Sequence, residues 1–252
     1  MKRALLVPIL GALCWTMAAA APAEAAVLMH HPRIGNGHGT GSLGWSSSNW
    51  SGYAVTGGPF NSVSGSWTVP SVSATRKASY SSDWVGIDGF NNSNLIQTGT
   101  ESDFFSGKAH YDAWWEILPA AETVIPSISV SPGDKFSATI THGSGSSWTI
   151  TITDTSNGQS FTTNQSYGGP QTSAEWIEEA PTVGGRIAPL AHYGSTVFDP
   201  GTVNGGNPGL VAADGGTMVQ KGITVSTPSN PDGDSDGFAA AYGASQPSPP
   251  SS

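Results

Sequence analysis

From Asn49 onward, short runs of Val, Ile, Thr, Trp and Tyr are cut by Gly, Pro, Asn and Ser, a rhythm of strands and turns. Runs from Val63 to Val69, Ser127 to Val130, Phe136 to Thr141 and Trp148 to Thr153 alternate apolar with polar positions. Each predicts a strand with one face buried, because successive side chains on a strand point to opposite sides. The run Asp154-Thr155-Ser156-Asn157-Gly158 predicts a hairpin turn. Met218 to Val225 predicts a further strand and Gly237 to Tyr242 the last. Helical periodicity is nearly absent, and 33 glycines with 18 prolines would break most helices. The expected fold is all-β, an antiparallel two-sheet β-sandwich of concanavalin-like or jelly-roll type. No internal repeat and no second domain is visible.

The two ends depart from this pattern. Lys2 and Arg3 precede an apolar run from Ala4 to Ala21, and Ala23-Glu24-Ala25 supplies small-x-small cleavage spacing, so residues 1–25 are expected to be a secretory signal. Residues 26–45 are Gly- and His-rich without periodicity, and are expected to form a flexible arm or short propeptide carrying His30, His31, Arg33 and His38. The sandwich is assigned to residues 46–243. Residues 244–252, Pro- and Ser-rich, are expected to form a disordered tail. No later run has the ~18 consecutive apolar residues of a spanning helix. The chain is read as secreted.

Composition then removes chemistries. Cys14 is the only cysteine and lies in the signal, which leaves no disulfide, thiolate or cysteine nucleophile beyond it. Loss of Lys2, Arg3 and Glu24 takes 9 basic and 18 acidic residues to 7 and 17, a formal charge of −10. Nucleic acid and anionic membrane surfaces are poor partners for such a chain. Few basic residues also means few ion pairs to lose on acidification, which points to acid tolerance. There is no H-E-x-x-H helix and no Asp followed by Thr-Gly or Ser-Gly. Asp232-Gly233-Asp234-Ser235-Asp236-Gly237 matches the first half of a calcium loop, but Gly243 stands where the bidentate Glu belongs, so an acidic turn is expected and no metal is assigned. Asn49-Trp50-Ser51, Asn91-Asn92-Ser93 and Asn164-Gln165-Ser166 are glycosylation sequons.

Four runs concentrate tryptophan, carboxylate and one carboxamide in a chain with only 11% charged residues: Trp84-Val85-Gly86-Ile87-Asp88-Gly89, Leu95-Ile96-Gln97-Thr98-Gly99, Tyr111-Asp112-Ala113-Trp114-Trp115-Glu116 and Ala174-Glu175-Trp176-Ile177-Glu178-Glu179-Ala180-Pro181. Read as strands, Trp84, Gly86 and Asp88 share a face, as do Leu95, Gln97 and Gly99, and Asp112, Trp114 and Glu116. Glu175, Ile177 and Glu179 lie opposite Trp176 and Glu178. A concave sheet surface gathering these faces would make a site, whereas aromatics in the core and acids in solvent would make none. Alternation leaves both open.

With Ser48-Asn49-Trp50-Ser51-Gly52 ahead of them, these runs resemble, in order and spacing, the motifs of the glutamic peptidases, or eqolisins, over residues 49–242. The resemblance implies a two-sheet sandwich whose concave face holds a Gln/Glu dyad: Gln97 as oxyanion donor and Glu179 as the acid–base group acting on water. It implies Trp50, Trp84, Asp88 and Glu116 as residues lining the cleft, with Asp88 and Glu116 holding the Gln97 carboxamide. Glu178 departs from the family, which carries an apolar residue there. The implied function is a secreted acid endopeptidase acting on polypeptide substrates with no cofactor, monomeric by default. Two rivals remain: a β-sandwich glycoside hydrolase using Asp112 and Glu116, and a non-catalytic carbohydrate-binding module.

Overall fold

The computed structural model describes residues 28–252; the expected signal lies outside the described residues. In chain order the strands are β1 (Leu28–Met29), β2 (Gly35–Gly37), β3 (Trp45–Ser47), β4 (Trp50–Thr56), β5 (Ser62–Thr68), β6 (Ser82–Ile87), β7 (Ile96–Phe105) and β8 (Lys108–Ile117). There follow β9 (Thr123–Val124), β10 (Lys135–His142), β11 (Ser147–Asp154), β12 (Gln159–Ser166), β13 (Ser173–Glu179), β14 (Thr182–Val183) and β15 (Arg186–Ile187). The last are β16 (Ser195–Val203), β17 (Gly215–Gln220), β18 (Ile223–Pro228) and β19 (Phe238–Tyr242). Apart from the single 3₁₀ turn Ala212–Asp214, the described residues hold no helix.

One hydrogen-bonded path runs β12-β11-β10-β5-β16-β19-β18-β17-β4-β13-β6-β7-β8-β9 and folds over on itself as a two-layer antiparallel sandwich. Period-two patterning explains why the layers close. Val63, Trp67, Phe136, Ala138, Ile140, Trp148, Ile150 and Ile152 of one layer meet Tyr53, Val85, Ile87, Ile96, Ala113, Ala174 and Trp176 of the other in one apolar core. Fully burying a side chain of this size stabilises by about 1.5–3 kcal/mol, so this face sets the register. The opposite face of β4-β13-β6-β7-β8 carries a second, smaller cluster of Trp45, Trp50, Trp84, Leu95, Trp114 and Ile177.

Two expectations about strands are corrected. Ser127–Val130 forms turns and no strand; Ile128 is buried, but its amide bonds Ile125 O at 3.2 Å instead of a neighbouring strand. Met218–Val225 is two strands, since Lys221 and Gly222 take φ of +52° and +77°. Gln220 then pairs with Ile223 across a two-residue hairpin. A lysine at positive φ gives no sequence cue. Residues 244–252 lack regular structure, yet Gln246 Nε2 donates to Pro228 O at 3.2 Å and Gly233 N to Ser252 Oγ at 3.0 Å.

Within the inter-sheet layer Asp83 and Glu178 pair in register across β6 and β13, both fully buried. The two carboxyls lie against each other, with the Thr196 hydroxyl also beside Asp83, and a proton shared between them would satisfy both. Burial pushes Asp83 up to about 7, against the hydrogen bond from Glu178. Burial and the Asp83 charge push Glu178 well above the ordinary carboxyl range. The fold therefore binds protons that the unfolded chain releases near pH 4, and stability falls as pH rises from about 4 through 7 and beyond. We expect the thermal midpoint to be highest in acid and to drop through neutrality. Glu178→Gln should flatten that drop; a profile equally steep in the variant would contradict the assignment.

Candidate active site

Strand register assembles the site. Antiparallel pairing sets Trp50, Glu179, Ser82, Glu101 and Asp112 side by side across β4, β13, β6, β7 and β8. The next row on the same face is Gly52, Ile177, Trp84, Gly99 and Trp114, and the third is Ala54, Glu175, Gly86, Gln97 and Glu116. The faces that alternation left open do coincide, and Glu178 points the other way, towards Asp83. Gly99 is required between its two tryptophans, since a Cβ there would lie 2.5 Å from Trp84 Cβ.

Gln97 is fully buried and its Nε2 donates to Glu116 Oε2 at 2.6 Å. This orients the carboxamide and leaves its second N–H free of that bond. Burial raises Glu116 to about 7. Glu179, also fully buried, accepts from Trp84 Nε1 at 2.9 Å on Oε2 and from Asn49 Nδ2 at 3.3 Å on Oε1. Trp50 meets Trp84 edge-on, with ring centroids 4.9 Å apart, and so fixes the indole that holds Glu179.

Asp88 does not reach the carboxamide, which corrects that expectation. Its φ of +72° starts a turn. Its Oδ1 accepts from Asn92 Nδ2, Thr172 N and Thr172 Oγ1, and its Oδ2 from Tyr167 OH and Gln171 N, at 2.7–3.2 Å. A carboxylate with five donors has no lone pair left for Gln97. Asp88 instead ties the end of β6 to the chain entering β13.

The segment expected as a flexible arm threads this site. Leu28–Met29 pairs with Thr182–Val183. His30 then enters the cleft with none of its surface exposed and stacks on Trp114, centroids 3.9 Å apart and planes 12° off parallel. Its Nδ1 lies 3.0 Å from Glu179 Oε2, and its Nε2 lies 3.1 Å from Glu101 Oε1 and 3.3 Å from Glu122 Oε2. Its backbone N–H donates to Glu116 Oε1 at 3.3 Å and that of His31 to Glu179 Oε1 at 3.1 Å. Burial alone would lower the imidazole pKa, but the Glu179 charge and the bonds to Glu101, Glu122 and Glu179 outweigh it and raise it well above 6.5. Arg33 caps the entrance, its guanidinium 4.1 Å from the Phe90 ring centroid and 5.7 Å from that of Trp45.

Sequence reading missed Glu101, Glu122 and Asn49. Glu101 was accessible by extending the alternation Gln97, Gly99 by one step. Asn49 stands beside Trp50 in a motif already noted. Glu122 lies in a loop, where no periodicity applies. Glu101, pushed by burial up to about 8, and Asp112, up to about 7, complete an acidic wall. Such a set of buried carboxyls, with the carboxamides of Gln97 and Asn49 beside them, suits water-mediated acyl chemistry with a single acid–base group.

Comparison with known proteins agrees. Residues 48–241 match the family described as the Peptidase A4 family. Aspergillopepsin-2 of Aspergillus niger is 31% identical over 216 residues, covering 75% of this chain and 76% of its own length. Scytalidopepsin B of Scytalidium lignicola is 34% identical over 137 residues, 52% of this chain and 51% of its own. The crystal structure of scytalido-glutamic peptidase with a transition-state analogue inhibitor superposes with a TM-score of 0.67, at 25% identity, over 77% of this chain and 98% of that one. The structure of aspergilloglutamic peptidase from A. niger gives 0.56, at 28% identity, over 65% and 99%.

The electrostatics of the cleft yield an expected outcome. Docking of His30 adds stability that is fully present below pH 6.5 and lost as pH rises through the raised imidazole value. An NMR titration of the His30 ring should give a midpoint above 6.5, and Glu179→Gln should lower it. An unshifted midpoint in the wild type would mean that the ring is not held in the cleft in solution.

Proposed function

The chain belongs to the Peptidase A4 family and is a peptide hydrolase of the glutamic type, and on that premise we propose that Gln97 and Glu179 are its catalytic dyad. The observation that carries the assignment is that both side chains are buried on one face, each held by a dedicated partner. Ionised Glu179 takes a proton from a water molecule as the water oxygen attacks the scissile carbonyl carbon. The free N–H of Gln97 donates to the oxyanion that forms. Glu179 then returns the proton to the leaving nitrogen as the C–N bond breaks. A carboxamide does not titrate, so Gln97 contributes charge stabilisation only, typically about 10²–10³ in rate for one such donor. A placed acid–base group contributes about 10²–10⁴. Trp84, Asn49 and Glu116 are positioning residues in this scheme.

The substrates are polypeptides in acid, and the chain acts outside the cell. The names of its relatives support the reaction, and the raised carboxyl values support the acidic range. No helix among the described residues is long and apolar enough to cross a membrane. The glycoside hydrolase alternative loses its pair, because Glu116 is committed to the Gln97 carboxamide.

With His30 bonded to Glu179, the attacking water has no place, so the described conformation is a latent form held by residues 28–34. Latency rests on the contacts of the His30 ring with Glu179, Glu101 and Glu122 and on its stacking against Trp114.

Two outcomes test these readings. Against a denatured protein at about pH 3, Glu179→Gln and Gln97→Ala should each lose at least about 10²-fold in kcat/KM. Glu178→Gln should retain activity; loss there with retention in Glu179→Gln would move the dyad by one residue. Separately, His30→Ala in the full chain should raise the initial rate near pH 6 by about tenfold or more, the worth of ~1.4 kcal/mol of cleft occupancy. Equal rates would remove the latent-form reading and leave the dyad untouched.

A further inference from the structure

Far from the dyad, the acidic loop between β18 and β19 meets β16. Carboxylate oxygens of Asp199, Asp232 and Asp236 converge within 4.8 Å of one another. Asp199 comes from β16, whereas Asp232 and Asp236 come from the loop, so two separate stretches of chain bring like charges together. Among the described residues no Lys, Arg or His pairs with any of the three.

A second, independent observation concerns what these oxygens lack. Asp232 is only 8% exposed; its Oδ1 accepts from the Asp236 and Gly237 amides at 3.2 Å each, but its Oδ2 is buried with no donor. Asp236 Oδ1 is likewise buried and without a donor. Leaving a buried carboxylate oxygen unpaired is expensive. Hydrogen bonding within the loop therefore does not account for these atoms, and they turn towards Asp199. Gly237 keeps the space open: a Cβ there would lie 2.5 Å from Asp232 Oδ2 and 2.9 Å from Asp199 Cγ.

We propose that Asp199, Asp232 and Asp236 form a divalent-cation site suited to Ca²⁺, which fastens the β18–β19 loop to β16. Hard carboxylate oxygens select Ca²⁺ over softer metals. Calcium–oxygen distances of about 2.3–2.6 Å put opposite ligands at most about 5 Å apart, which accommodates the observed spread. The site departs from a calcium loop in one respect that only the fold reveals. Asp234, in the motif's third position, stays exposed and outside the cluster, and Asp199, some thirty residues upstream, takes its place. The missing glutamate at position 243 therefore does not count against binding. Asp236 O also accepts from Gly201 N at 2.8 Å, so the cation would reinforce an existing link between the loop and β16.

The test uses the full chain, stripped with a chelator and titrated with CaCl₂ near pH 6. Calorimetry should show saturable uptake with a dissociation constant of about 10⁻⁴–10⁻³ M, the range of extracellular calcium modules. A hundredfold excess over that value should raise the thermal midpoint by ~5–10 °C. Asp232→Asn and Asp199→Asn should abolish both effects, and Asp234→Asn and Glu122→Gln should keep them. If Asp232→Asn does not fold, the half-buried Asp199 decides. Absence of saturable uptake up to about 10 mM overturns the proposal, as does an equal shift with NaCl at matched ionic strength. Uptake unchanged in Asp199→Asn also overturns it, because binding would then belong to the loop alone.

Discussion

Glu179, Ser82, Glu101 and Asp112 stand abreast across four hydrogen-bonded strands, and Glu175, Gly86, Gln97 and Glu116 stand abreast four residues further along. Because side chains alternate, a slip of one residue in any of these ladders would send one member of the set through the sheet to the other side. What prevents the slip is the opposite face. There Val85, Ile87, Ile96, Ala113, Ala174 and Trp176 are committed to the inter-sheet core. Packing on one side of the sheet thus fixes chemistry on the other.

That arrangement has a cost, and acid is its remedy. Carboxyls occupy buried positions on both faces: Asp83 and Glu178 towards the core, Glu101, Glu116, Glu175 and Glu179 towards the cleft. With burial as the largest cause, Asp83, Glu101, Glu116, Glu175 and Glu178 all have raised values. In neutral form such groups are tolerable neighbours; ionised together they repel in a poorly solvated environment. A peptidase adapted to acid can carry this crowding, and a chain with few basic residues has little else to neutralise it.

The N-terminal segment supplies a cation where the sheet has none. An imidazole suits the place on two counts. It stacks flat on Trp114, and its two nitrogens and backbone amide reach Glu179, Glu101, Glu122 and Glu116 from one position. His30 therefore links the Gln97–Glu116 half of the site to the Glu179 half. Asn49 helps hold the segment, donating to His31 O and Pro32 O at 3.3 Å as well as to Glu179. One strand entrance serves both the carboxylate and the segment that covers it.

The sequence by itself determined the all-β sandwich, most strand positions and the opposed directions of Glu178 and Glu179, because alternation and turn residues are local signals. Its motifs also marked Gln97, Glu116, Trp50, Trp84 and Glu179. It could not determine that four strands would lie in a register bringing these faces together, since register depends on partners distant in sequence. The family resemblance implied Asp88 beside the Gln97 carboxamide, but at Asp88 φ turns positive and the chain leaves the sheet. His30 looked like part of an unstructured leader because its partners, from residue 101 to residue 179, lie on other strands and loops. Asp199 gave no signal beside the acidic loop it joins. In each case the deciding interaction spans tens of residues, and only the closing of the two layers brings its members within reach.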